Sequence, residues 1–169
     1  MRTVAAATTI DDLDDFLAEI DAISEATGTA IQCFDADYVA GDRHLRRAVE
    51  LAARAREQGT AVAREPAVEI LLYAAGRRQI NQALEMGVDE GETDVVSVVS
   101  GGDEAVAEQR VRELLGASDA SNDNDDSIPL GDEETIKSFF DIGDAELGVV
   151  DGELEDIVIE RVALLDVEK

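Results

Sequence analysis

Apolar positions along the chain follow two periods, and the switches between them divide it into strands and helices. Arg2–Thr8 (RTVAAAT) carries no charge after Arg2 and reads as a strand. Thr9 or Asp11 can cap the next segment, where Leu13, Phe16, Leu17, Ile20 and Ile23 recur at helical spacing. Asp11, Asp12, Asp14 and Asp15 fall in its first turns, where the helix dipole favours acids, and Gly28 ends it. Ala30–Phe34 reads as a second strand with Ile31 and Cys33 on one face. A helix is predicted from Asp42 to about Gln58, closed by Gly59. Another opens at Pro66, carries Val68, Leu71, Leu72 and Ala75, and stops before Gly76. A further helix is expected over about Arg78–Met86, with Gly87 as its stop. Asp94–Ser100 (DVVSVVS) is the clearest strand, bounded by Gly91 and by Gly101–Gly102, and Asp103 opens a helix to Leu115.

Ala117–Gly131 (ASDASNDNDDSIPLG) is acidic and nearly free of core residues, so it reads as a flexible insertion. Beyond it lie a helix at Glu133–Phe140, a turn near Asp144–Leu147 and a last helix from about Glu153 to Leu165. Helices outnumber strands and do not alternate regularly with them. The expected fold is therefore α+β: a helix-rich single domain over residues 1–169, with helices on a small sheet of three or four strands, mixed or antiparallel.

Charge changes this picture most. Forty acidic residues oppose fourteen basic ones, a formal net charge of −26. Self-repulsion at that charge is severe in dilute salt, whereas molar salt shortens the screening length to about 3 Å. Acids are spread over nearly every element, and Lys137 and Lys169 are the only lysines. That pattern fits a halophilic protein in a salt-rich cytoplasm; a nucleic-acid mimic or cation binder is the other reading of such acidity. Cys33 and His44 stand alone as their residue types, so an intrachain disulfide and an ordinary multi-ligand zinc site are both excluded. The apolar run Val4–Ala7 is too short for a signal sequence, and no segment is long enough to span a membrane.

One window departs from the acidity. Residues 43–78 contain Arg43, Arg46, Arg47, Arg54, Arg56, Arg64, Arg77 and Arg78 against Glu50, Glu57, Glu65 and Glu69, a local charge of +4. At 100° per residue, Arg43, Arg46, Arg47 and Arg54 share one arc with Glu50 and Glu57, opposite Leu45, Ala48, Val49 and Ala52. Such a face is ordinary for an amphipathic helix laced with ion pairs. It also suits phosphate, because planar guanidinium groups match phosphate forks. Arg77, Arg78 and Gln79 follow the break at Gly76 and extend the candidate RNA-binding set. Counterion release is weak in molar salt, so a binder there would rely on shape, stacking and base-edge contacts to a single strand. Tyr73 is a candidate stacking ring, although core packing explains it better.

The segment Ala67–Gly87 (AVEILLYAAGRRQINQALEMG) resembles the core signature of the regulatory, kinase-binding subunit of the KEOPS complex, the TPRKB-like family. The resemblance rests on Glu69, Leu71, Leu72, Tyr73, Gly76, Arg77, Arg78, Gln79, Ile80, Ala83, Leu84 and Gly87. Cys33–Leu51 and the C-terminal ERVALL at Glu160–Leu165 support it in the same order. The resemblance implies a non-enzymatic subunit that binds the small kinase/ATPase of the complex directly and the remaining subunits indirectly. It also implies help in recruiting tRNA, by its single-stranded 3′ CCA end, for threonylcarbamoyladenosine modification. The insertion at 117–131 and the overall acidity depart from the family pattern.

For the kinase contact, the last helix is the candidate, because its apolar residues cover more circumference than one buried face needs. Ile157, Val158, Arg161, Leu164 and Leu165 are the residues assigned to the partner, although a core helix buried all round has the same composition. Catalytic machinery is not legible. His44 is placed on the basic face and reads as a surface or packing residue rather than a catalytic one, Cys33 reads as a buried inert thiol in an apolar strand, and no phosphate-loop or dinucleotide motif occurs. Gly101–Gly102 before a helix is a plain tight turn rather than a phosphate loop. No cofactor, metal or membrane partner is implied. A metal-dependent carboxylate hydrolase and a protein-only interaction module remain the alternatives.

Overall fold

The structure, a computed structural model, describes residues 1–116, 128, 130–149 and 153–168. Most of the segment expected to be a flexible insertion, 117–127 and 129, lies outside the described residues. The fold is α+β, and its three-stranded sheet has the order β1-β3-β2. Here β1 is Arg2–Ile10, β2 Ala30–Asp35 and β3 Gly91–Ser100. All pairings are antiparallel, which resolves the choice that the sequence leaves open. The chain gathers into two compact units, each built from two separate stretches: Met1–Ala36 with Gly87–Ile128, and Asp37–Met86 with Pro129–Lys169.

In the first unit, α1 (Leu13–Thr27) and α5 (Glu104–Leu115) cover one face of the sheet. The register puts Val4 opposite Ser97, Ala6 opposite Val95, and Cys33 opposite Ser97 on the other side, so these residues share a face. That face meets Phe16, Ile20 and Ile23 of α1 and Ala107, Val111 and Leu115 of α5 in a single apolar cluster. Val95–Val99 of the central strand is buried without interruption, which explains why β3 reads as a continuous apolar run instead of an alternating one. The strand starts earlier than predicted: Glu92 and Thr93 pair with Thr9 and Thr8 and lengthen the ladder with polar residues.

The second unit is helical. α2 (Asp42–Gln58) and α3 (Pro66–Ala75) pack against each other, and α8 (Leu154–Glu168) packs on both and on α6 (Glu133–Phe140). Every residue from Glu69 to Ala75 is buried, so α3 is the central helix. Burying the Glu69 carboxylate would be costly without donors. It accepts the backbone N–H groups of Val62 at 3.1 Å and Ala63 at 2.8 Å and so holds the loop before α3. The α3 helix ends in a Schellman turn: Gly76 is left-handed (φ 61°), and Arg77 N–H reaches back to the Leu72 carbonyl at 3.1 Å. The helix expected over 78–86 is shorter, with α4 at Ile80–Ala83 and a 3₁₀ turn at Leu84–Met86. The turn expected near 144–147 is a short helix, α7 (Asp144–Val149).

Candidate functional site

The outer face of α2 carries the arginines where the helical arc places them. Arg43, Arg46 and Arg54 are exposed and Arg47 is half-buried, while Leu45, Ala48, Val49 and Ala52 are buried on the opposite side. The Arg43, Arg46 and Arg47 guanidinium groups are held by carboxylates. Arg46 is held by Asp42 at 3.1 Å and Arg47 by Glu50 at 3.3 Å, both along the same helix. Arg43 reaches another helix, with Nη1 2.9 Å from Asp156 and Nη2 3.3 Å from Glu155. A guanidinium has five N–H donors, so these pairs leave donors for another acceptor.

His44 corrects the sequence reading. Its position lies 100° round the helix from Arg43, within the buried arc, and the ring is fully buried rather than part of a basic face. Nδ1 accepts the Ala40 N–H at 3.1 Å, which leaves Nε2 to donate to the Ala74 carbonyl at 2.7 Å. The imidazole is thereby fixed as the neutral Nε2–H tautomer. Burial lowers its pKa to about 4, against the opposing pull of the Ala74 carbonyl. The same bond sets the first turn of α2 beside the last turn of α3, so Arg43 and the Arg77–Arg78 pair lie at one end of the two helices.

Arg77 is not a free phosphate contact. It is half-buried, donates to the Phe139 carbonyl and lies 4.7 Å from the Phe139 ring centroid. Arg161 approaches the neighbouring Phe140 carbonyl at 3.4 Å. Two cations therefore serve the C-terminal carbonyls of α6, where the helix dipole is negative. Arg78 and Gln79 are exposed beside this joint. An open groove of about 710 Å³ lies next to it, lined among others by Tyr38, Arg77, Asn81, Gln82, Glu85 and Phe139. The Tyr38 and Phe139 rings meet edge to face at 5.4 Å. Ile80 at the start of α4 and Leu84 in the 3₁₀ turn after it are 46% and 58% exposed. Sequence spacing has no means of finding the groove, because its residues come from three stretches about 40 to 60 positions apart. Only the Gln79–Gln82 run hints at base-reading amides.

On α8 the five residues assigned to the partner differ in exposure. Ile157, Val158 and Leu165 are buried within this chain's own packing, because α8 contacts α2, α3 and α6 at once. Arg161 is half-buried and paired with Glu146 at 2.8 Å. Leu164, 48% exposed, is the one of the five that faces outward as an apolar side chain.

The starts of α2 and α8 form one charged joint. Glu155 accepts the His44 N–H at 3.1 Å, which caps α2 from another helix, because Gly41 at the cap position has no side chain to do so. Asp156 accepts the Glu153 N–H at 3.0 Å and caps α8; that bond, with Arg43, holds its carboxyl below the usual range. A Cβ at Gly41 would sit 2.6 Å from the Glu155 carboxylate, and Gly41 has φ 151°. Gly41→Ala is therefore expected to displace Glu155 and cost about 1–2 kcal/mol in urea denaturation. An unchanged midpoint would show that Glu155 does not need this approach.

Elsewhere the chemistry is quiet. Cys33 is buried 3.0 Å from Ser97 Oγ, and burial pushes its thiol up to about 11, far from thiolate reactivity. In the Gly101–Gly102 turn, the Gly101 N–H goes to Glu104 at 2.8 Å and the Asp103 N–H to Thr27 at 2.9 Å, as in a turn satisfied from within. Among the described residues, no group of three or more His, Cys, Asp or Glu is arranged to hold a metal ion, and no helix is long and apolar enough to cross a membrane.

No curated protein matches the chain. The model of one family, described as kinase binding protein CGI-121, matches residues 9–166. That span takes in the arginine face of α2, the groove, all but the last residues of α8, and the first unit apart from most of β1. The chain belongs to the CGI-121 family of kinase-binding proteins.

Proposed function

We propose that the chain is the non-catalytic accessory subunit of the KEOPS tRNA-modification complex, which holds the small kinase/ATPase and helps recruit tRNA by its single-stranded 3′ CCA end. The kinase half of this reading is carried by membership of a kinase-binding family across residues 9–166. The RNA half is supported by the local excess of arginine in a chain of net charge −26, together with exposed Arg78 and Gln79 beside the groove. The groove offers the half-buried Tyr38 ring, the amides of Asn81 and Gln82 and one guanidinium, beside the carboxylates of Glu85 and Glu134. Unstacked bases are recognised by that combination of stacking surface and edge-reading amides, which depends less on salt than phosphate contacts do. A cytoplasmic location, among tRNA and the kinase, follows from this role.

The test spares Arg77, which supports α6. Arg78→Glu is expected to weaken tRNA binding about tenfold in a filter-binding titration at molar salt, with kinase capture unchanged. A tRNA lacking its 3′ end should bind the wild-type chain about as poorly as intact tRNA binds the variant. Equal affinity of wild type and variant for intact tRNA would remove the RNA half of the reading and leave the kinase half standing.

A further inference from the structure

Arg43 differs from Arg46 and Arg47 in where its partners lie. Those two pair with carboxylates of their own helix, so an anion that takes them disturbs α2 alone. Both terminal nitrogens of Arg43 are committed to the first turn of α8, Nη1 to Asp156 and Nη2 to Glu155. A phosphate taking the two-pronged edge formed by those nitrogens competes with both carboxylates for it. Each carboxylate also caps a helix, Glu155 closing the start of α2 at His44 and Asp156 the start of α8 at Glu153. We infer that Arg43 is a latch that couples anion occupancy of the arginine face to the anchoring of α8, so that RNA on α2 loosens the first turn of the helix that packs on α2, α3 and α6. This rests on the RNA half of the proposed function and names how that surface is regulated. With Arg43 withdrawn, two adjacent carboxylates are left without their cation, and the joint keeps only its hydrogen bonds.

The test uses amides, which still accept the His44 and Glu153 N–H groups but lose the charge that holds Arg43. The double variant Glu155→Gln, Asp156→Asn is expected to bind tRNA about three- to tenfold more tightly than wild type at molar salt. Adding Arg43→Gln to it should abolish that gain. Hydrogen exchange at residues 153–158 should speed up in the wild-type chain when tRNA is added. A gain that persists without Arg43 would reflect the removal of negative charge in general and would overturn the latch. Unchanged affinity of the double variant, or slower exchange on adding tRNA, would overturn it as well. A wild-type chain that binds no tRNA would overturn the proposed RNA role and this coupling together, whereas binding that the double variant fails to strengthen overturns the coupling alone.

Discussion

His44→Gln is expected to cost about 2 kcal/mol of stability at pH 7 and nothing near pH 5, where the two unfolding curves converge. The cost at neutral pH comes from losing one of the two hydrogen bonds, to Ala40 or Ala74, and the edge-to-face contact with Phe140 at 5.7 Å. The convergence comes from proton linkage. Burial lowers the folded pKa to about 4 from an ordinary 6.5, so between those values the unfolded chain takes up a proton that the folded chain refuses. The wild type therefore has its full stability above the unfolded pKa, loses it as pH falls towards 4, and is down by about 3 kcal/mol there. Glutamine does not titrate, and the variant escapes that loss. Urea titrations from pH 7 to pH 4 at fixed salt read the effect directly. A gap that stays constant across the range would mean that the ring is not held neutral by its surroundings.

The largest single loss is expected from Tyr73→Ala, at about 4 kcal/mol. The ring is wholly shielded from solvent, at the middle of the helix whose residues from Glu69 to Ala75 are all buried. Truncation leaves a cavity that the surrounding helices cannot close together. Tyr73→Phe keeps the ring and should cost about 1 kcal/mol by chemical denaturation. Because the ring is out of reach of any ligand, Tyr73→Phe should leave tRNA binding untouched; reduced binding with normal stability would revive the stacking role.

The contrast between Tyr73 and His44 shows what the sequence can and cannot reveal. Helix starts and stops are legible because their signals are local: Pro66 opens α3, and Gly28, Gly59 and Gly76 end their helices in left-handed turns. The apolar run of β3 is legible as a strand, but its polar start at Glu92 and Thr93 is not, since pairing partners rather than side-chain pattern set that end. His44 is misplaced by sequence because the arginines around it suggest a polar face, while its angular position belongs to the buried one. Ile157, Val158 and Leu165 look like partner contacts because composition alone cannot tell a helix buried by its own chain from one buried by another. The roles of Arg43, Arg77 and Arg161 depend on acceptors 112, 62 and 21 positions away in sequence, which spacing arguments do not reach.

The interleaving of the two units has a consequence for synthesis. Every segment of the first has been made once residue 128 is translated, but α2 and α3 of the second must wait for α8, which follows them by roughly 80 residues. At about 5–20 residues per second, the apolar flank of α3 stays uncovered on the ribosome for on the order of ten seconds. In that interval a nascent chain offers chaperones a target that the finished molecule has hidden.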